Sequence, residues 1–277
     1  MTGLRKMRIA LALVCCSSVA AIAPTAAESL CIDGRTFLYC GEYIPHDRLP
    51  FTFVLNNSQR PSRLEASKVA GALRGAVDEW NGAWMKVAPG NKPHLYLAAC
   101  PDPSGGDGPL CYGGTVSPDG PRPGVFDGVN VVGWADPANC GADSNAIAVA
   151  CLWYEDQQRT RIGEVDVLLR PSVVWETKSG LIDLVTGELQ GTVPVRNSLG
   201  LDVDWQDLQS SLAHELGHAL GLEHFGHSRP WPSSFEDAAA VHQTMYRWSL
   251  QGSTNKRTLA EGDRLGLALV WAKVASG

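Results

Sequence analysis

The sequence predicts an α+β domain, and three observations predict it. Five short apolar runs with β character and three stretches of helical periodicity share the chain, with no internal repeat and no separable linker between them. The segments joining them are crowded with Gly, Pro, Asp and Ser, so they read as surface loops. Six cysteines beyond the N-terminal region fall into three local couples, each spanning a Gly- or Pro-containing loop, which predicts disulfide-stapled loops.

The chain of 277 residues opens with Arg5, Lys6 and Arg8, runs apolar from Ile9 to Ala23, and reaches small residues at Ala26 and Ala27. That order predicts a cleaved secretion signal over residues 1–27 and one domain over 28–277. The apolar run is shorter than the roughly 20 residues that a bilayer core requires. A secreted chain, extracellular or periplasmic, with no membrane association after cleavage is therefore expected. Cleavage removes three basic residues and leaves 20 Lys and Arg against 29 Asp and Glu, a net charge of −9. Such a chain has no general attraction for nucleic acid or anionic membranes. In that setting the cysteines pair most simply as Cys31 with Cys40, Cys100 with Cys111, and Cys140 with Cys151, each bridge contributing on the order of 2–3 kcal/mol.

The elements follow in order. Phe51 to Leu55 is a short strand ended by Asn56-Asn57-Ser58. From Ser62 to Trp84 the residues Val69, Leu73, Val77, Trp80 and Trp84 recur at spacings of three and four, so one stripe of an N-terminal helix is buried. His94 to Ala99 is the next strand, and Pro101 to Pro123 is loop. Val129 to Trp134, Ala146 to Tyr154 and Ile162 to Leu169 follow, the last two forming a hairpin about the polar turn Glu155 to Thr160. Residues 171–203 carry no period and read as a long connection with one small hairpin around Thr186-Gly187. Asp204 begins a second helix lined by Leu208, Leu212, Leu216, Ala219 and Leu220, with the aspartate as its N-cap and Gly221 as its stop. The chain closes with a third helix, where Thr258 and Glu261 have capping-box spacing.

The second helix carries HELGHALGLEH, residues 214–224. Residues four apart share one helical face, so His214 and His218 present two imidazoles to a single point. Glu215 sits beside the first, placed to reach a water there without being a ligand. Gly221 permits a sharp turn through left-handed backbone angles, and His224 returns as a third ligand, leaving zinc one open position. Average residue frequencies put a chance match of the whole pattern at roughly one in 10⁵. His227, three residues on, reads as surface or support, because a fourth protein ligand would close the site.

This extended motif resembles that of the metzincin metalloendopeptidases, and Thr244-Met245-Tyr246 resembles their Met-turn. Met followed at once by Tyr, the His-Glu-Leu-Gly-His core and the Asp-x-x-x-Leu lead-in look like the matrixins, the family of matrix metalloproteinase catalytic domains and their bacterial relatives. The hairpin with Gly163-Glu164-Val165-Asp166 in its second strand is similar to the last two sheet strands of that family. The resemblance implies a metzincin-like zincin fold over Leu49 to Lys273: a twisted, mixed five-stranded sheet with an N-terminal, an active-site and a C-terminal helix. It also implies a methionine, Met245, beneath the zinc. Calcium is common in the family, and Asp119, Asp127, Asp136 and Asp143 offer oxygen ligands in loops, although turn aspartates usually serve the turn alone.

The departures are Phe225 after the third histidine, where many matrixins have Ser, and the lack of a histidine-rich loop in residues 100–145 to hold a second zinc. No Pro-Arg-Cys-Gly segment precedes the domain. Arg247 stands where some metzincin branches place a tyrosine ligand, which leaves Tyr246 to the wall of the pocket.

The function expected is a secreted zinc endopeptidase, in which zinc on His214, His218 and His224 lowers the pKa of a water toward about 7. Glu215 takes the proton and delivers it to the leaving amine. The resemblance implies a protein or peptide substrate lying extended along the edge strand near Ala146 to Tyr154, on a monomeric enzyme. The competing readings are a non-catalytic zinc-binding or adhesive module, and a disulfide-rich binding domain with incidental histidines.

Overall fold

The computed structural model describes residues 8–12, 30–34, 37–41, 50–88, 94–98, 122–155, 162–177, 205–224, 242–249 and 253–274. Its strands, in chain order, begin with β1 (Arg8–Ala12) and the hairpin of β2 (Leu30–Gly34) and β3 (Phe37–Gly41). Next come β4 (Phe51–Asn56), α1 (Ala66–Val87), β5 (Leu95–Leu97), β6 (Asn130–Trp134), β7 (Ala148–Tyr154) and β8 (Ile162–Leu169). The two-residue strands β9 (Trp175–Glu176) and β10 (Gln206–Asp207) pair parallel ahead of α2 (Leu208–Ala219), and α3 (Glu261–Val274) closes the chain. The fold is mixed α+β, with three α-helices among the described residues and a mixed sheet of the five predicted strands in the order β5-β4-β6-β8-β7. Only β7 runs antiparallel to its sheet neighbour β8, as the hairpin reading expected. On its other side β7 pairs antiparallel with β1, from Arg8 opposite Trp153 to Ala12 opposite Val149.

Alternation along each strand decides which face is filled. Phe51, Phe53 and Leu55 of β4 and Ala148, Ala150 and Leu152 of β7 point to one face, where they meet the apolar stripe of α1 and one side of α2. The stripe is the predicted one, with Val69, Leu73, Val77, Trp80 and Trp84 all buried. On the opposite face Val149, Cys151 and Trp153 form a smaller cluster with Cys140 and Leu168. There the predicted disulfide Cys140–Cys151 closes a loop of sequence separation 11. The β2–β3 register sets Cys31 opposite Cys40, while Cys100, Cys111 and the suggested hairpin at Thr186-Gly187 lie outside the described residues. No helix among the described residues is long and apolar enough to cross a membrane.

Three boundaries differ from the sequence reading. Helix α1 starts at Ala66 and not near Ser62, because Leu64 N–H bonds Pro61 O in a turn that has to finish first. Helix α2 starts three residues after the position that Asp204 as a cap would set: Gln206 and Asp207 are held extended against β9, and Asp207 becomes the cap, accepting Ser210 N–H at 2.7 Å. The N-terminus of α3 is closed by Asp263, which reaches back to Ala260 N–H at 2.9 Å, in place of the Thr258–Glu261 pair.

Two carboxylates of β8 anchor the loop that enters β6. Asp166 accepts Gly124 N–H and Val131 N–H, both at 2.7 Å, and Glu164 accepts the N–H groups of Asp127 and Gly128. Burial pushes Asp166 from 3.8 up to about 8, against the pull of those two N–H donors. The folded chain therefore holds more protons at this site than the unfolded chain between those values. The stability contributed is full below pH 3.8 and is lost as pH rises through about 8. Asp166→Asn is expected to remove that component, so a plot of urea midpoint against pH should fall less steeply across this window than for the parent. A parallel pair of curves would show that Asp166 is not the group responsible.

Candidate metal centre

Helix α2 delivers the first two histidines, and its C-terminus delivers the third. The helix ends in a complete Schellman motif: Gly221 N–H bonds His218 O at 2.9 Å and Leu222 N–H bonds Gly217 O at 3.0 Å. Gly221 makes this possible with φ of 89°, the conformation anticipated for it. The reversal brings His224 back over the helix. His218 Nε2 lies 3.2 Å from His214 Nε2 and 3.2 Å from His224 Nε2, and one ligand atom from each ring falls within 4.8 Å of the others.

The opposite edges of two rings are fixed by carbonyls. His214 Nδ1 donates to Thr244 O and His218 Nδ1 to Leu222 O, each at 2.6 Å, so the proton sits on Nδ1 and the Nε2 lone pair faces the centre. Burial drives His218 down to about 4, and it drives His214 and His224 well below their usual value, with neighbouring charges adding to both. Three neutral imidazoles thus turn lone pairs toward one point. Tetrahedral zinc with bonds of about 2.0–2.1 Å sets its ligand nitrogens about 3.3 Å apart, so the donor set and its spacing fit that ion.

Glu215 is fully buried against β7, and among the described residues no side chain hydrogen-bonds its carboxylate. Burial is the main influence on it and raises its pKa to about 8, with the backbone of Ala150 on β7 and the charge of Lys256 pulling the other way. Met245 is fully buried with its sulfur against Gly217 of the motif helix. Its turn is cradled by Asp263, which accepts Thr244 N–H at 2.7 Å and Met245 N–H at 2.9 Å. Tyr246, anticipated in a pocket wall, has its ring in the main core. Its carbonyl accepts Lys256 Nζ.

Several of these residues carry no signal in the sequence. Lys256 is buried with Nζ 3.5 Å from His214 Nδ1, and desolvation lowers it to about 7 against the carboxylates of Asp263 and Glu215. Asp207 and Arg257 form a buried ion pair, 2.5 Å between Oδ2 and Nη2, that ties the start of α2 to the segment following the methionine turn. Of the aspartates considered for calcium, Asp127, Asp136 and Asp143 each accept a backbone N–H two residues ahead, which is turn-forming geometry. Asp119, Phe225 and His227 lie outside the described residues.

No protein-family model, no curated protein and no solved structure matches this chain.

Two substitutions test how the centre is supported. A Cβ at position 217 would stand 2.2 Å from Met245 Sδ and 2.8 Å from Trp80 Cζ2, so Gly217→Ala must displace the methionine or the helix. The expected loss is about 1–3 kcal/mol of stability, with weaker zinc retention in a competition titration; an unchanged melting curve and zinc affinity would contradict this packing. Arg257→Ala leaves Asp207 as a buried, unpaired charge, and denaturant unfolding is expected to show a loss of about 3–5 kcal/mol.

Proposed function

We propose that this chain is a secreted zinc-dependent endopeptidase of the metzincin kind, closest in its motif to the matrixins. The observation that carries the reading is the set of three converging histidine nitrogens beside a buried carboxyl group that no described side chain engages. A mixed sheet with three helices among the described residues, a glycine-terminated motif helix and a methionine packed against that helix at Gly217 accord with it.

Zinc held by His214, His218 and His224 supplies Lewis acidity toward a peptide carbonyl and acidity toward a water. The chain's own residues supply the rest. Thr244 O and Leu222 O hold His214 and His218 in the ligating tautomer. Glu215, one residue from the first ligand, accepts the proton of the attacking water and returns it to the leaving amine. The same carboxyl lies against β7, so a peptide paired along that strand would present its carbonyl to it. Strand β7 accepts extended chain on this edge: Arg8–Ala12 pairs there antiparallel, within the segment that signal cleavage would remove. The Cys140–Cys151 disulfide and the leader-like N-terminus support export.

The decisive experiment compares the mature chain with Glu215→Ala on a protein substrate, with and without a chelator. The parent is expected to cleave and to stop when the metal is removed. Loss of one general acid–base group should lower turnover by about 10²–10⁴-fold, while elemental analysis still finds one zinc per chain. Equal cleavage by both proteins would falsify the mechanism, and tight zinc without cleavage by either would favour a non-catalytic zinc-binding module.

A further inference from the structure

Arg247 brings positive charge to the metal centre, and no carboxylate among the described residues forms an ion pair with it. Arg247 follows the methionine turn directly, half-buried, with its guanidinium carbon 6.0 Å from the centroid of the Trp248 ring. It is close enough to the third histidine that its charge is among the causes depressing His224. Arg247 Nε is buried with no acceptor among the described residues, and so is the adjacent indole donor, Trp248 Nε1. A buried donor left without a partner costs about 1–3 kcal/mol, a cost that an incoming acceptor at Arg247 would remove.

The acidic groups nearby are committed elsewhere. Asp263 takes the backbone N–H groups of Thr244, Met245 and Ala260. Both Asp263 and Glu215 face the ammonium of Lys256, and Asp207 is engaged by Arg257. A chain of net charge −6 therefore keeps two cations, Lys256 and Arg247, around its three histidines. A planar guanidinium with free donors matches a carboxylate in shape and charge.

We propose that Arg247 is a specificity-determining residue that selects peptides presenting a carboxylate next to the metal centre. The peptide nature of the ligand rests on the function proposed above. The carboxylate comes either from an acidic side chain flanking the scissile bond or from the free C-terminus of the substrate.

The test reads binding separately from turnover. Zinc-loaded Glu215→Gln protein is titrated calorimetrically with three pentapeptides: a blocked one with a central glutamate, its blocked glutamine analogue, and the glutamine peptide with a free C-terminal carboxylate. One of the two carboxylate peptides is expected to bind at least about tenfold more tightly than the blocked glutamine peptide, and which one identifies the source. Adding Arg247→Gln should abolish that ratio, Arg247→Lys should restore part of it, and Arg247→Glu should shift preference to a central lysine. A merely structural role would weaken all three peptides alike. Equal affinities in the Glu215→Gln protein, or a ratio that survives Arg247→Gln, would overturn the proposal. Cleavage of neutral peptides without carboxylate preference would remove this inference and leave the protease reading intact. A carboxylate preference in a wild-type protein that cleaves nothing would do the reverse.

Discussion

Three histidine nitrogens within 4.8 Å of one another, two of the pairs at 3.2 Å, are the constraint on which this structure depends. Two of the imidazoles have given their only proton to carbonyls on the far side of the ring, and burial keeps all three from acquiring another. Without a cation the arrangement is repulsive and desolvated. A divalent ion with affinity for imidazole converts it into a net contributor, and the binding energy then appears as folding energy. The helix and the turn after it are consequently held in place from several directions, since a centre of this kind is unstable to small drift in any one ring.

Those supports come from distant parts of the chain and all end on α2. At its start, Asp207 is shared between the Ser210 N–H and Arg257. At its middle, Trp80 Nε1 of α1 bonds Ala213 O at 2.7 Å, and Gly217 admits the Met245 sulfur, which no side chain would. At its end, the Schellman turn both stops the helix and aims Leu222 O at His218. The methionine turn is in turn held by Asp263 of α3, so Thr244 O, the acceptor for His214, has its position set by the C-terminal helix. One histidine's tautomer thus depends on residues up to 49 positions away in sequence, from His214 to Asp263.

What the sequence made legible was whatever depends on neighbours within one turn or one strand. The four-residue histidine spacing, the glycine stop and the stripe of α1 are local patterns, and each appears where its period placed it. The five strands and the β7–β8 hairpin were visible for the same reason, through alternation and a polar turn. The failures lie where a remote contact overrides the local pattern. Asp204 and Asp207 are equally good caps by residue type, and the choice between them is made by pairing of Gln206 and Asp207 with Trp175 and Glu176. Lys256 and Asp263 belong to the centre through packing alone, and a lysine between two helical segments has no spacing to reveal it. Gly217 looked like an ordinary residue of the motif, because the atom that requires it to be glycine belongs to Met245.

The character of Glu215 bears on whether such a centre is built for holding an ion or for using it. A site that only holds an ion gains nothing from a carboxyl group at 0 % exposure that no described side chain engages. Burying a group so sparsely hydrogen-bonded is unfavourable by roughly 1–3 kcal/mol on the scale of protein substitutions. An apolar side chain at the same place would remove that penalty and fill the space between α2 and β7. The penalty is tolerable when the group needs free oxygens to accept and release a proton, because any internal hydrogen bond would have to be broken in each cycle. The same reasoning extends to Arg247, whose Nε lacks an acceptor among the described residues and whose charge reaches the third histidine. A substrate group that accepts from it would remove the cost of leaving that donor unpaired.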